Sequence, residues 1–190
     1  SGLEYGQLNV IIPKTVHTRL SPETDYAKSK VVAFMKLQQI FHNSNIDLTW
    51  MRIFQVFGPG ERFPRLGPSI LQAYLDKTDF FLKRPYDIRD FAHICDISEA
   101  ILKCVNTLNG FQVINMSTGH GTSNLEFTLN LWKELNCQGK IIQNDNAGDL
   151  IHNYYVGKPS EFFISNPIAS IRNYDSLTWR GSLIGCIRKH

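Results

Sequence analysis

The sequence predicts an α/β fold with parallel strands. Helical stretches alternate with short apolar runs bounded by Gly, Pro and Asn, the signature of strand–helix–strand units. The 190 residues are 43% hydrophobic and 12% aromatic, enough for a packed core in one domain or one domain with a small lobe. No internal repeat and no low-complexity linker divides the chain.

Each element follows from local chemistry. Ser1 to Gly6 reads as a strand end and turn, and Leu8 to Ile12 as a short strand cut by Pro13. Ser21-Pro22-Glu23 has the form of a helix start: hydroxyl, first-turn proline, acid. From there Val31, Phe34, Met35, Leu37 and Phe41 recur at helical spacing to about Asn43. Ile46 to Phe57 is a strand, stopped by Gly58-Pro59-Gly60. A helix is expected over Ser69 to Asp76, and short strands over Phe80 to Lys83 and Asp87 to Ile94. Ile97 to Leu108 is a helix ended by Asn109-Gly110, and Phe111 to Met116 a strand. Leu125 to Leu135 is a helix and Lys140 to Gln143 a strand; the last forty residues carry no clear period.

Charge and cysteine usage exclude several classes. The formal net charge is +3, spread along the chain. The densest basic stretch, Arg180 to Lys189, is interrupted by Leu183, Ile184 and Ile187, so it reads as a solvated face rather than a nucleic-acid patch. Cys95, Cys104, Cys137 and Cys186 show no CxxC spacing, which points to reduced core thiols, a cytoplasmic setting and no metal site. Asn115-Met116-Ser117 has the glycosylation pattern but lies in an apolar strand run. No apolar stretch is long enough for a membrane helix and no signal peptide opens the sequence.

Tyr26 and Lys30 lie four apart on the first long helix, on one face. Tyrosine alone is a poor acid or base at neutral pH; a neighbouring ammonium favours its phenolate. The spacing is common in helices, so its context matters. Upstream stands Ser1-x-x-x-Tyr5-Gly6, and the pair sits in Pro22-x-x-x-Tyr26-Ala27-x-Ser29-Lys30. Then come Arg52-Ile53-Phe54-Gln55-Val56-Phe57-Gly58-Pro59-Gly60, the run from Arg89-Asp90-Phe91 to Ala100, and Asn115-Met116-Ser117-Thr118-Gly119.

In this order the motifs resemble the extended short-chain dehydrogenase/reductase family, of the NAD-dependent nucleotide-sugar epimerase/dehydratase type, over Ser1 to about Leu135. The resemblance implies the back half of a Rossmann-like doubly wound parallel sheet, at 1–58 and about 94–118. It also implies a small α+β substrate-binding lobe at about 59–93 and 119–190. By the same resemblance Ser1, Tyr26 and Lys30 are catalytic. Ser1 would bond the reacting sugar oxygen and Tyr26 would move its proton. Lys30, with Tyr26, would hold the nicotinamide ribose of NAD or NADP. Arg89 would take the substrate diphosphate, where a guanidinium fork suits phosphate oxygens. The alternative for Arg89 is a surface ion pair with its neighbour Asp90. Gln55 stands where many members carry a substrate-binding Asn. A homodimer through the helix of about 24–43 is implied too, on a face of Phe34, Leu37, Gln38 and Phe41.

Neither Gly58-Pro59-Gly60 nor Gly119-His120-Gly121 has the third glycine of a dinucleotide phosphate loop. The expectation is therefore that the N-terminal half of the Rossmann domain, roughly a hundred residues in such a fold, precedes Ser1 in a complete enzyme. Family dehydratases carry acids just after the catalytic Ser or Thr, where this chain has Gly2 and Leu3, and Glu4 comes one place too late. This favours an epimerase or keto-sugar reductase acting on a nucleotide sugar. The alternatives are a non-catalytic remnant serving as a dimerisation or sugar-nucleotide-binding module, and a 4,6-dehydratase.

Overall fold

The computed structural model describes residues 1–7, 11–42, 44, 46–144, 153–164 and 168. Its spine is a parallel pair, β1 (Leu48–Ile53) and β6 (Phe111–Met116), in register from Leu48↔Phe111 to Ile53↔Met116. Alternation along these strands separates two faces. Trp50 and Phe111 meet Phe34 of α1 (Asp25–His42), with ring centroids at 5.4 and 6.2 Å. Ile114 and Met116 instead pack with Ile97, Ala100 and Cys104 of α3 (Ile94–Thr107). The pair is thus covered on both sides, as parallel strands require.

The strand expected over Ile46 to Phe57 breaks at Phe54. Phe54 N still donates to Met116 O, but Gln55 N donates to Asp90 O. Beyond the break, β2 (Gln55–Phe57) pairs in parallel with β5 (Phe91–His93). One strand therefore serves two neighbours in turn. Around β2 and β5, α2 (Leu66–Asp76) and α4 (Asn124–Leu135) build a second core from Phe57, Ile70, Leu71, Phe91, Phe127 and Leu131. Phe127 stacks on Phe91 at 4.2 Å, and truncating a ring so buried costs about 3–5 kcal/mol. Further along, β3 (Phe80–Leu82) runs parallel to β8 (Ile141–Gln143). Beside them β4 (Ile88–Arg89) lies between antiparallel β7 (Thr122–Ser123) and parallel β9 (Tyr154–Tyr155). A short α5 (Glu161–Ile164) sets Phe163 into the first core.

Several boundaries differ from those expected. Ser1 to Gly6 is no strand end: Gly2–Tyr5 is a 3-10 helix. The first long helix starts at Asp25, because the Thr24 hydroxyl accepts from Ala27 N at 3.1 Å. The Ser21 amide is already used by Glu4 O. α3 starts at Ile94, three residues early, because His93 Nδ1 accepts from Cys95 N at 3.2 Å and caps it. That places Cys95 in the first turn and exposed, so it is not a core thiol, whereas Cys104 is buried. Of the strand expected over Leu8 to Ile12, residues 8–10 lie outside the described residues, and Ile11 and Ile12 are exposed loop. Cys186 and the basic stretch from Arg180 also lie outside them. Among the described residues no helix is long and apolar enough to cross a membrane.

Candidate active site

At the C-terminal end of β1, where ligands settle in open parallel sheets, a cavity of about 670 Å³ opens. Ser1, Tyr26, Lys30, Gln55 and Arg89 all line it. The 3-10 turn brings Ser1, the first two turns of α1 bring Tyr26 and Lys30, β2 brings Gln55, and β4 brings Arg89.

The Ser1 turn is tightly held. Ser1 Oγ accepts from Leu3 N at 3.3 Å, and the Glu4 side chain folds back to the Ser1 nitrogen, a reciprocal capping box. Gly2 lies on the Phe54 ring, where a Cβ would come within 2.8 Å of Cδ1. A side chain there, acidic or otherwise, requires Phe54 to move. On α1, the Lys30 ammonium sits 5.3 Å from the Tyr26 ring centroid. Tyr26 is 55% exposed, so its hydroxyl is open to a ligand. Ser29 Oγ donates back to Tyr26 O at 2.7 Å.

Arg89 pairs with Asp87, not with its neighbour Asp90. Arg89 Nη2 donates to Asp87 Oδ2 at 3.0 Å, and its guanidinium lies 4.6 Å from the Tyr155 ring centroid. Asp87 is buried and also accepts from Asn153 N at 3.0 Å and Asn153 Nδ2 at 2.9 Å. The Asp87 pair thus orients Arg89 at the cavity wall. Asp90 points inward and accepts from Thr118 N, Thr118 Oγ1, Gly119 N and Gly157 N at 2.7–3.3 Å. Burial pushes its carboxyl up from the ordinary value, and the Thr118, Gly119 and Gly157 donors pull it back. Gln55 Nε2 makes a long 3.5 Å contact to Val56 O, which leaves its amide oxygen for a ligand.

Sequence reasoning missed other parts of the site. Arg65 adds a second guanidinium to the cavity, and Phe54 and Tyr155 give it aromatic walls. Behind the Ser1 turn, Glu4 and Arg52 form a buried ion pair, Arg52 Nε to Glu4 Oε2 at 3.0 Å. Arg52 Nη1 donates to Tyr5 Oη at 3.0 Å, and Tyr5 Oη donates to Asn115 Oδ1 at 2.6 Å. Arg52, Tyr5 and Asn115 each lie in a recognised motif; their convergence needed the β1–β6 register.

The described residues suit one end of a dinucleotide. Tyr26 and Lys30 offer a hydroxyl and an ammonium, which fit a ribose beside a reacting carbon. A pyrophosphate needs a glycine turn leading directly into a helix N-terminus. Gly58 to Gly60 is separated from α2 by residues 61–65, and Gly119 to Gly121 runs into strand β7. A Cβ at Gly121 would meet Ile88 Cγ2 at 2.7 Å and Val156 Cγ2 at 3.0 Å, so that turn is closed by packing.

A serine turn, a Tyr-x-x-x-Lys helix and a parallel α/β sheet define a chain of the extended short-chain dehydrogenase/reductase type. The sequence profile of the NAD dependent epimerase/dehydratase family matches residues 1–117, and the chain belongs to that family. It is 30% identical to the UDP-glucose 4-epimerase of Mycoplasma genitalium over 147 residues, which cover 66% of this chain and 43% of that protein. Among solved structures, RMD of Pseudomonas aeruginosa complexed with NADPH superposes with a TM-score of 0.82 at 19% identity, covering all of this chain and 65% of that one. The UDP-N-acetylglucosamine 4-epimerase of Methanobrevibacter ruminantium, in complex with UDP-N-acetylmuramic acid, gives 0.80 at 20% identity, again over all of this chain and 62% of that one. The dTDP-glucose 4,6-dehydratase of Bacillus anthracis, in complex with NAD, gives 0.81 at 17%, over all of this chain and 60% of that one. The chain thus spans less than half of its curated relative and about three fifths of these solved chains.

Proposed function

We propose that this chain carries the sugar side of an NAD(P)-dependent nucleotide-sugar epimerase or keto-sugar reductase, with residues 1–58 and about 94–118 as the remaining Rossmann-like part and the rest as the substrate lobe. The observation that carries the reading is the single cavity lined by Ser1, Tyr26, Lys30, Gln55 and Arg89. Ser1 donates a hydrogen bond to the reacting sugar oxygen. Tyr26 removes or returns that oxygen's proton, and the Lys30 ammonium stabilises the phenolate that this leaves. Arg89, backed by Asp87, clasps the diphosphate, with Arg65 adding positive charge. The Gln55 amide bonds the sugar or phosphate. A bound nicotinamide supplies hydride exchange at the sugar carbon.

A dehydratase needs an acid beside the reacting sugar to expel water. Gly2 and Leu3 provide none, and Glu4 turns away to Arg52. The epimerase or reductase reading follows from that. In the full-length protein given NAD and UDP-glucose, we expect formation of the 4-epimer without loss of water, followed by chromatography and mass spectrometry. A product lighter by one water overturns the choice of reaction; an absence of product with any nucleoside-diphosphate hexose or its keto form overturns the enzyme reading.

The same reading includes a homodimer through α1, on a different face from the one expected. Phe34 is buried against β1 and β6, so the free apolar face is Val32, Met35 and Ile40.

A further inference from the structure

Asp87 serves more than Arg89. Its side chain is 2% exposed. Oδ2 accepts from Asn153 Nδ2 at 2.9 Å and from Arg89 Nη2 at 3.0 Å, and Arg84 Nε lies 3.3 Å from the same oxygen. Oδ1 accepts from Asn153 N at 3.0 Å. Two guanidinium groups thus share one buried carboxylate. Arg89 lines the cavity, whereas Arg84 is not among its lining residues and its side chain is 49% exposed.

The backbone sets Arg84 in this place. Arg84 stands on the loop between β3 and β4, whose carbonyls satisfy amides left unpaired at the start of α4. Leu125 N donates to Pro85 O at 2.8 Å and Asn124 N to Asp87 O at 2.9 Å. Asn124 Nδ2 donates to Arg84 O at 2.9 Å. An ion pair between two exposed side chains would contribute little. Here one partner is buried and the loop carrying both is tied to α4.

A buried carboxylate that loses its cation is costly. Arg89 therefore cannot turn from Asp87 to a ligand phosphate unless another group holds that charge, and Arg84 is already at the same oxygen. We propose that Arg84 is a positioning residue that releases Arg89: as the Arg89 guanidinium turns to a diphosphate, Arg84 keeps the Asp87 charge neutralised. The inference rests on the reading of Arg89 given above. Without Arg84 the whole charge of Asp87 falls on Arg89, which is then held back from the phosphates.

The test uses the full-length protein with Arg84→Gln, Arg84→Lys, Arg89→Gln and the Arg84→Gln/Arg89→Gln double variant. By calorimetry Arg84→Gln binds UDP about fivefold more weakly, and Arg84→Lys, which keeps the charge, recovers most of that loss. In the Arg89→Gln background Arg84→Gln adds nothing, because it acts through that guanidinium. Urea unfolding without ligand reads the shared charge separately. The double variant loses more stability than the two single variants together, since either arginine alone still covers Asp87. Additive unfolding losses overturn the inference, and so do losses of UDP affinity that add in the double variant. If Arg89→Gln binds UDP as the wild type does, the reading of Arg89 fails and takes this inference with it. If Arg89→Gln loses UDP and Arg84→Gln does not, the reading of Arg89 stands and Arg84 is an ion pair of the fold alone.

Discussion

Tyr26 and Glu61 show two ways in which a single side chain carries a testable consequence. Tyr26 projects from the first turn of α1 into the cavity with Lys30 beside its ring. Phenylalanine keeps the ring and its contact with the ammonium and removes only the hydroxyl. In the full-length protein Tyr26→Phe should lower turnover by about 100-fold or more, the usual size of a general acid–base contribution. NAD(H) affinity should stay within a few-fold. Steady-state kinetics and a cofactor titration check both, and turnover close to wild type removes Tyr26 from the mechanism. Glu61 lies in the turn before α2. Burial pushes its carboxyl up to about 7, with the Arg65 charge pulling the other way. Its ordinary value is 4.5, so between about pH 4.5 and 7 the folded state holds a proton that the unfolded state has lost. Stability therefore falls as pH rises through that window. Glu61→Gln should flatten that fall and be the more stable form at pH 8, as read from urea unfolding midpoints at several pH values. At this scale the sequence showed the chemistry-bearing types at motif positions. It did not show Arg65 or Tyr155, because these depend on which loops the fold folds back onto the cavity.

Elements were legible where one period dominates. β6 has the same bounds in sequence and structure, Phe111 to Met116, because an apolar run is isolated there by Asn109-Gly110. Helix starts were less legible, because more than one hydroxyl near the start can serve as the cap. Ser21-Pro22-Glu23 has the form of a cap, but the helix begins at Asp25 and the Thr24 hydroxyl takes the role. α1 also shows how a period leaves a face ambiguous. Phe34 and Met35 adjoin in sequence, yet Phe34 packs on Trp50 and Met35 is 54% exposed. If the outer face of α1 joins two copies, a charge at its centre should separate them. Met35→Glu in the full-length protein should shift the mass seen by light scattering from dimer to monomer with no loss of helix signal. A wild-type protein that is monomeric at micromolar concentration, or a variant that stays dimeric, removes α1 as the interface.

For the molecule as a whole, alternating strands and helices were enough to predict a parallel α/β sheet, and the motif order its family. The short sheet of β4, β7 and β9 was harder to read because each strand is two residues long; two residues cannot show a period, and long-range pairing alone defines them. The same view of the whole chain bears on cofactor binding. Tyr26 and Lys30 stand at the cavity, where the proposed reading puts a ribose. The pyrophosphate would need amides at a helix start, but neither glycine turn provides them, since one runs into a loop and the other into β7. Among the described residues β1 has a single strand partner, β6, so no further parallel strand presents an acid or arginine to the adenine ribose. A ligand anchored at one end must still offset the entropy of being held. Residues 1–190 by themselves should therefore bind NADH and NADPH no more tightly than about millimolar. Trp50 lines the cavity, so energy transfer from tryptophan to a bound nicotinamide reports directly on the site. A titration of the purified chain should show no saturation in the micromolar range. Saturable transfer there, competed by NAD, would mean that a phosphate-binding surface exists elsewhere in these 190 residues and that the cofactor lies differently from the orientation set by Tyr26 and Lys30.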